Sequence, residues 1–252
     1  MNKGLSLQIK EIRRFHDNCS ESEQWQSTFI YHQILNREKG ITFDISDHIR
    51  GIVYAMLSSN SRWCRMIEDL DCSTGRNNYI ETVFNSFDPD FLFKADNKDL
   101  VKKLREKKYG NLSIKKQLSV LSDNISLLKN IQLEHGSVDK YIDGFIKDEG
   151  IYNLIFDLSD SNSSHKLKQI GPVLACEYLR NVGYDIPKPD RHICKMLGNG
   201  PNALGCFNTK VVPFRDAYNK IHSLSCELNL GSAELDYYLW LYRSHKCCQK
   251  GV

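Results

Sequence analysis

The sequence predicts an all-α protein, on three observations. Prolines are few, six in 252 residues, at positions 89, 172, 187, 189, 201 and 213. Between them apolar residues recur every three or four positions, the period of a helix that buries one face, and not in the strict alternation of a half-buried strand. The loop-like tracts are short, SDSNSSHK at 159–166 and LGNGPNALGCFNTK at 197–210, and rich in Ser, Asn and Gly. In chain order, a helix is expected at about 22–38, and Ile49, Ile52, Val53, Met56 and Leu57 form the next stripe, with Ser46-Asp47 ahead of it to serve as N-cap. Helices at about 61–70, 77–86 and 98–107 follow, and Ile114, Leu118, Leu121, Ile125 and Leu128 continue one face across 113–131. The remaining helices are expected at about 137–148, 150–158, 171–182, 190–197, 213–228 and 232–245.

Hydrophobic residues make up 41% of the chain and charged residues 26%, and the mean hydropathy is -0.45. That is enough apolar material for one sizeable core or two lobes, and it excludes disordered and collagen-like chains. With 34 Lys+Arg against 31 Asp+Glu the net charge is only +3, so a surface for a polyanion must come from local clustering. Three clusters stand out: KKLREKK at 102–108 with Lys115-Lys116; Lys166 with Lys168; and Lys188, Arg191 and Lys195 with Arg243, Lys246 and Lys250. The first reads as a solvated helix face. Nine cysteines form an odd set, and the start MNKGLSLQIKEIRRF lacks the apolar core of a signal peptide, so a reducing, cytoplasmic location is expected. No apolar run approaches the ~18 residues that cross a bilayer, so no membrane partner is expected. The later cysteines, Cys194, Cys206, Cys226 and the adjacent pair Cys247-Cys248, are widely separated. That is not the close spacing of a zinc or iron-sulfur site, and no metal or cofactor is expected.

Residues 165–198, HKLKQIGPVLACEYLRNVGYDIPKPDRHICKMLG, concentrate the chemistry. Gly171-Pro172 makes a tight turn into a helix, and proline at the first helical position has no N–H to leave unsatisfied. The next N–H groups can therefore face an anion such as a DNA phosphate, although an ordinary helix corner would look the same. Asp190 follows one helix and a break further on, behind Pro187 and Pro189, where it would cap a helix starting at Arg191.

This segment resembles the helix-hairpin-helix DNA glycosylases, the superfamily that contains endonuclease III and the 8-oxoguanine glycosylases. Leu167, Ile170 and Gly171 match the family's hairpin, and Pro189-Asp190-Arg191-His192-Ile193 match the aspartate motif that follows the hairpin's second helix. Gln169 stands where the first hairpin glycine is common. LSSNSRWCR at 57–65 is similar to the Ser-Ser-Asn loop of 8-oxoguanine glycosylases, and LDYYLWLYRS at 235–244 to their final helix. The similarity covers roughly residues 45–245, with 71–160 matched by helical character alone.

The resemblance implies a two-lobed, all-α glycosylase fold, with a bundle lobe at about 45–160 and a second lobe from about 161–252 plus 1–44 that holds the hairpin at 165–182. It implies a monomer acting on double-stranded DNA that carries a damaged or modified base. Asp190 would be the catalytic carboxylate; Gly171, Val173, Lys168 and Arg191 would hold DNA. Asn60 would fill the gap left by the extruded nucleotide and Arg65 would read the orphaned partner base. Asn60 as a plain helix cap is the competing reading. Asp236 and Trp240, one helical turn apart, would line the base pocket, unless the aromatic run is simply core. Bifunctional relatives carry a lysine nucleophile two positions after the hairpin glycine, where this chain has Val173, so base excision without strand cleavage is implied. The rival is a DNA-structure-binding protein that keeps the hairpin as a grip and performs no chemistry.

Overall fold

The computed structural model describes residues 3–20, 23–59 and 69–248. The chain divides into two compact units, Met1–Tyr31 with Asp185–Val252, and His32–Tyr184. Both are helical; among the described residues the only sheet is a pair of short antiparallel strands, β1 (Leu70–Asp71) and β2 (Arg76–Asn77). No described helix is long and apolar enough to cross a membrane.

The His32–Tyr184 unit is built around α3 (Ile45–Ser58), whose residues from His48 to Leu57 are all buried. Its N-cap is Asp44, not the Ser46-Asp47 pair: the Asp44 side chain accepts from the Asp47 N–H at 2.9 Å, and the Asp47 carboxylate accepts from the Asp44 N–H at 3.2 Å. The reciprocal box satisfies two backbone donors, which one Asp at the expected position would not. α3 lies against α11 (Pro172–Asn181). Gly51 permits the close approach, since a Cβ there would come within 3.0 Å of Val182 Cγ1 and 3.2 Å of Tyr178 Cδ2.

A buried polar knot ties the two helices to α9 (Val138–Glu149). His48, fully buried, shares a hydrogen bond of 2.8 Å between Nδ1 and the Tyr178 hydroxyl, and its Nε2 stands 3.2 Å from Asp139 Oδ1. Asp139 also accepts from Arg37 Nη2 and from the Phe43 N–H, each at 2.7 Å. Burial pushes the Asp139 carboxyl up, but hydrogen bonds from His48, Phe43 and Arg37 outweigh it and hold the group at about 2.

The other helices of this unit are α2 (Phe29–Glu38), which enters from the neighbouring unit, α4 (Asn78–Val83), α5 (Pro89–Lys94), α6 (Asn97–Glu106), α7 (Ile114–Leu118), α8 (Leu121–His135) and α10 (Ile151–Asp157). The apolar face across 113–131 is one face but two helices, because Val120, with ψ near 8°, breaks the run. The helix expected at 77–86 ends at Val83, and Asn85, Ser86 and Phe87 take positive φ so that Phe87 can stack on Phe84 at 5.2 Å. The helix expected from 22 begins at Phe29 behind a short 3-10 turn, Trp25–Ser27, since Thr28 is extended. Most of the helix expected at 61–70 lies outside the described residues, and its end is strand.

The other unit pairs the first helix, α1 (Lys3–Asp17), which the apolar spacing does not mark, with the last, α14 (Ser232–Cys248). Phe15 meets Tyr242 edge-on at 5.4 Å, and the His16 ring lies 4.2 Å from that of Tyr238. α12 (Arg191–Met196) and α13 (Phe214–Leu228) also pack on α14. The expected lobe boundaries near 44 and 160 differ from the divisions observed at 31/32 and 184/185. The hairpin at 165–182 groups with 32–164 because α11 packs on α3, α10 and the Asp139 knot.

Candidate active site

The hairpin is prepared from upstream. The Asp157 carboxylate gathers the Tyr141 hydroxyl, Ser163 Oγ at 2.7 Å and His165 Nδ1 at 3.1 Å, fixing the loop that feeds the turn. Leu167 and Ile170 then anchor it in the core, while Lys168 and Gln169 between them are exposed. Asn124 clamps both sides of residue 168: its Oδ1 accepts from the Lys168 N–H at 2.7 Å and its Nδ2 donates to the Lys168 carbonyl at 3.1 Å. The Lys166 ammonium folds inward and donates to the carbonyls of Leu167 and Ile170. Its burial lowers the Lys166 pKa.

The left-handed residue of this turn is Gln169, with φ of 61°, whereas Gly171 has an ordinary extended backbone at φ -99° and ψ 177°. The chain therefore keeps the left-handed hairpin step where glycine is common, with a side chain in place. Gly171 is the N-cap of α11 and brings no side-chain cap; Pro172 has no N–H, and those of Val173 and Leu174 have no partner among the described residues. A Cβ at Gly171 would meet nothing within 4 Å, so this end of the helix is open. The Val173 side chain is aliphatic and half-buried.

Asp190 begins α12 in the other unit. The approach is held by two carboxylates: Asp236 Oδ1 accepts from the Lys188 N–H at 3.0 Å, and Asp185 accepts from the N–H groups of Ser232 and Ala233 at 3.1 and 2.7 Å. Asp190 Oδ1 accepts from the His192 and Ile193 N–H groups at 2.7 and 3.0 Å. Its Oδ2 has no hydrogen-bond partner among the described residues. The carboxylate is thus fixed by one oxygen and presents the other. Around it stand Arg191, exposed, with Lys195 and Arg243, whose positive charges all bear on His192. Burial lowers the His192 pKa first, Asp190 partly restores it, and the neighbouring cations lower it further. The Cys194 thiol is pushed up to about 11, mainly by burial, and is a packing residue.

The sequence-predicted residues fall as follows. Gly171, Val173 and Lys168 share the hairpin, and Lys168 Nζ pairs with Asp123 at 2.9 Å. Asp190, Arg191, Asp236 and Trp240 belong to the other unit. Asp236 is buried and braces the turn before Asp190, a role its spacing to Trp240 did not reveal. Trp240 is half-buried and stacks on Tyr237 at 6.2 Å. Asn60 and Arg65 lie outside the described residues. Asn124 and Asp157, which set the hairpin, were missed: Asn124 lies far from Lys168 in the chain, and Asp157, close to Ser163 and His165, is one of many acidic residues with no motif around it.

No family model matches the chain. Over 90 residues, 35% of the chain, it is 31% identical to the 8-oxoguanine DNA glycosylase/AP lyase of Aquifex aeolicus (strain VF5). The match spans 40% of that relative's length. The fold is similar to that of Methanocaldococcus jannaschii 8-oxoguanine glycosylase/lyase, solved with a 15mer DNA containing 8-oxoguanine, at a TM-score of 0.57 and 19% identity, over 94% of this chain and 97% of that one. Similarity in sequence and similarity in fold thus fall on the same superfamily that the motifs resemble, and the all-α glycosylase fold expected from the sequence is the fold observed.

Proposed function

We propose that this chain, which has the fold of the helix-hairpin-helix DNA glycosylases, is itself a DNA glycosylase that hydrolyses the bond between a damaged or modified base and its deoxyribose in duplex DNA. The observation that carries the reading is Asp190, one oxygen fixed by two backbone N–H groups and the other without a partner. As the C1′–N bond breaks, its electron pair leaves with the base and positive charge develops at C1′. A fixed carboxylate lowers the energy of that charge without reorganising. Water then adds its oxygen to C1′ and gives a proton to the carboxylate, leaving an abasic site.

The open N-terminus of α11 would hold a DNA phosphate through the Val173 and Leu174 N–H groups, with Gly171 leaving room for close approach and Lys168 adding charge, while Arg191 would hold DNA beside Asp190 in its own unit. Asn60 and Arg65 would take the space and partner left by the flipped nucleotide. The half-buried face of Trp240 would stack on the extruded base, with Asp236 shaping the pocket from behind. Val173 supplies no amine and Lys166 is folded into the hairpin, which supports base release without strand cleavage. Oxidised guanine is the first candidate substrate, because both relatives are named for it.

The test is an end-labelled duplex panel carrying 8-oxoguanine, alkylated purines, uracil and modified cytosines, incubated with wild type and D190N and resolved with and without hot alkali. Strand breaks only after alkali, and only with wild type, are expected. Breaks without alkali would assign the nucleophile to a lysine elsewhere. No base release with retained DNA binding would leave Asp190 as a helix cap and the protein as a non-catalytic hairpin binder.

A further inference from the structure

The basic segment at 102–108 has two unlike faces. Lys103 pairs with Asp99 at 2.9 Å, and Lys107, one turn on, pairs with Asp69 at 3.2 Å and lies over the Tyr79 ring. Lys98, Lys102 and Arg105 recur at i, i+4 and i+7 along the other side of α6, and none of them has an ion-pair partner among the described residues. They line a cleft of about 890 Å³ between α6 and α7, with Lys115 opposite them on α7. Two acids also line it, Asp96 and Glu106, and Asp96 is engaged in capping the Lys98 N–H at 2.9 Å. Four exposed cations, Lys98, Lys102, Arg105 and Lys115, against two acids thus give the cleft a locally positive potential that favours an anionic ligand.

The cleft is joined to the hairpin. Ser119, on its rim, stands in the short connection to α8, whose first turn carries the Asp123 that pairs with Lys168 and the Asn124 that clamps the Lys168 peptide. We infer that the α6–α7 cleft binds the phosphodiester backbone of nucleic acid, extending the phosphate grip of the hairpin along the same strand; the inference rests on the DNA-binding part of the proposed function, not on its chemistry. A strand of regularly spaced phosphates suits a linear row of cations, and free polyphosphate is the competing source of the same chemistry.

The experiment measures affinity of the full chain for an undamaged 30-base-pair duplex as a function of salt, for wild type, K102Q/R105Q and K103Q/K107Q. Both double variants remove two positive charges from the same exposed helix, so a global charge effect would move them alike. The expected result is a log–log salt slope smaller by about two for K102Q/R105Q, with affinity down about tenfold or more at about 0.1 M salt, and a change of less than half that for K103Q/K107Q. Equal slopes in all three proteins would overturn the inference. So would tight tripolyphosphate binding lost in K102Q/R105Q with the duplex slope unchanged, which would make the cleft a small-phosphate site. If wild type binds duplex and shows the slope difference but releases no base from the panel, the glycosylase reading fails and the cleft stands. If wild type binds no duplex, both fail.

Discussion

Helix α11 begins at Gly171, with no side chain to cap it, and leaves the Val173 and Leu174 N–H groups open; α12 begins at Asp190, whose Oδ1 closes the His192 and Ile193 N–H groups. The first start, capped by glycine, gives up only the few tenths of a kcal/mol, about 0.3, by which a capping side chain betters glycine, and keeps donors and the positive end of the helix dipole for an anion. The second uses those same donors to hold a carboxylate still. Opposite treatment of the same kind of backbone group thus leaves donors open in one place and orients a charge in the other. A capping aspartate and a catalytic aspartate need not be rival descriptions: the cap is the means by which one oxygen is fixed and the other presented.

An open start is useful only on a helix that is itself held still, and Asp139 braces α11 through His48, which bonds the Tyr178 hydroxyl. D139N is expected to cost about 3 kcal/mol at neutral pH, by leaving buried partners without their charge, as read by denaturant melts. Because the folded carboxyl titrates at about 2, below its ordinary value near 3.8, the stability it adds is complete above that ordinary value and fades as pH falls toward 2. The gap between wild type and D139N should therefore narrow through that window. A gap that stays constant would assign the loss to packing instead.

At the closed start, D190N should slow base release more than tenfold, over about 1.4 kcal/mol of barrier, with little loss of stability, since Asn caps as well as Asp. D190A should lose the same activity and about 1 kcal/mol of stability as well. Wild-type turnover in D190N would reduce Asp190 to its cap. At the open start, G171D should do the reverse of what most loss-of-function changes do. It should raise stability by about 0.3 kcal/mol by supplying the missing cap, while weakening duplex binding about tenfold by occupying the donors with a negative charge. The extended backbone and empty space at Gly171 permit the side chain. Undiminished affinity would show that these N–H groups are not the grip. A similarly small effect is expected of Q169G, a gain of about 0.3 kcal/mol in a thermal melt, because glycine relieves the left-handed strain while losing more chain entropy. A loss would mean that the Gln169 side chain contributes contacts of its own.

The all-α class, the hairpin and the capping position of Asp190 were legible because each is local: helical periodicity, a Gly-Pro step and a Pro-Asp step are written in adjacent residues. The cap of α3 was misplaced because Asp44 and Asp47 both suit an N-cap and only their reciprocal bonds decide. Gly171 was read as making the tight turn, yet its backbone is extended and the left-handed residue is Gln169, between the buried Leu167 and Ile170. Asp236 was read for its spacing on a helix face, but its partner, the Lys188 N–H, is far away in the chain and no local pattern announces it. The unpaired face of α6 was hidden inside a basic run in which Lys103 and Lys107 are neutralised by Asp99 and by the distant Asp69.

The pairing of α1 with α14 fixes an order of assembly. The segment His32–Tyr184 is contiguous and can close around α3 and α11 as soon as it leaves the ribosome. The unit that presents Asp190 joins the segment up to Tyr31 to the segment from Asp185 onward, and must wait until α14 has been made. Until then the helix against which α1 will bury Ile9 and Ile12 does not exist, so a nascent chain holds the hairpin unit complete before the carboxylate unit has formed.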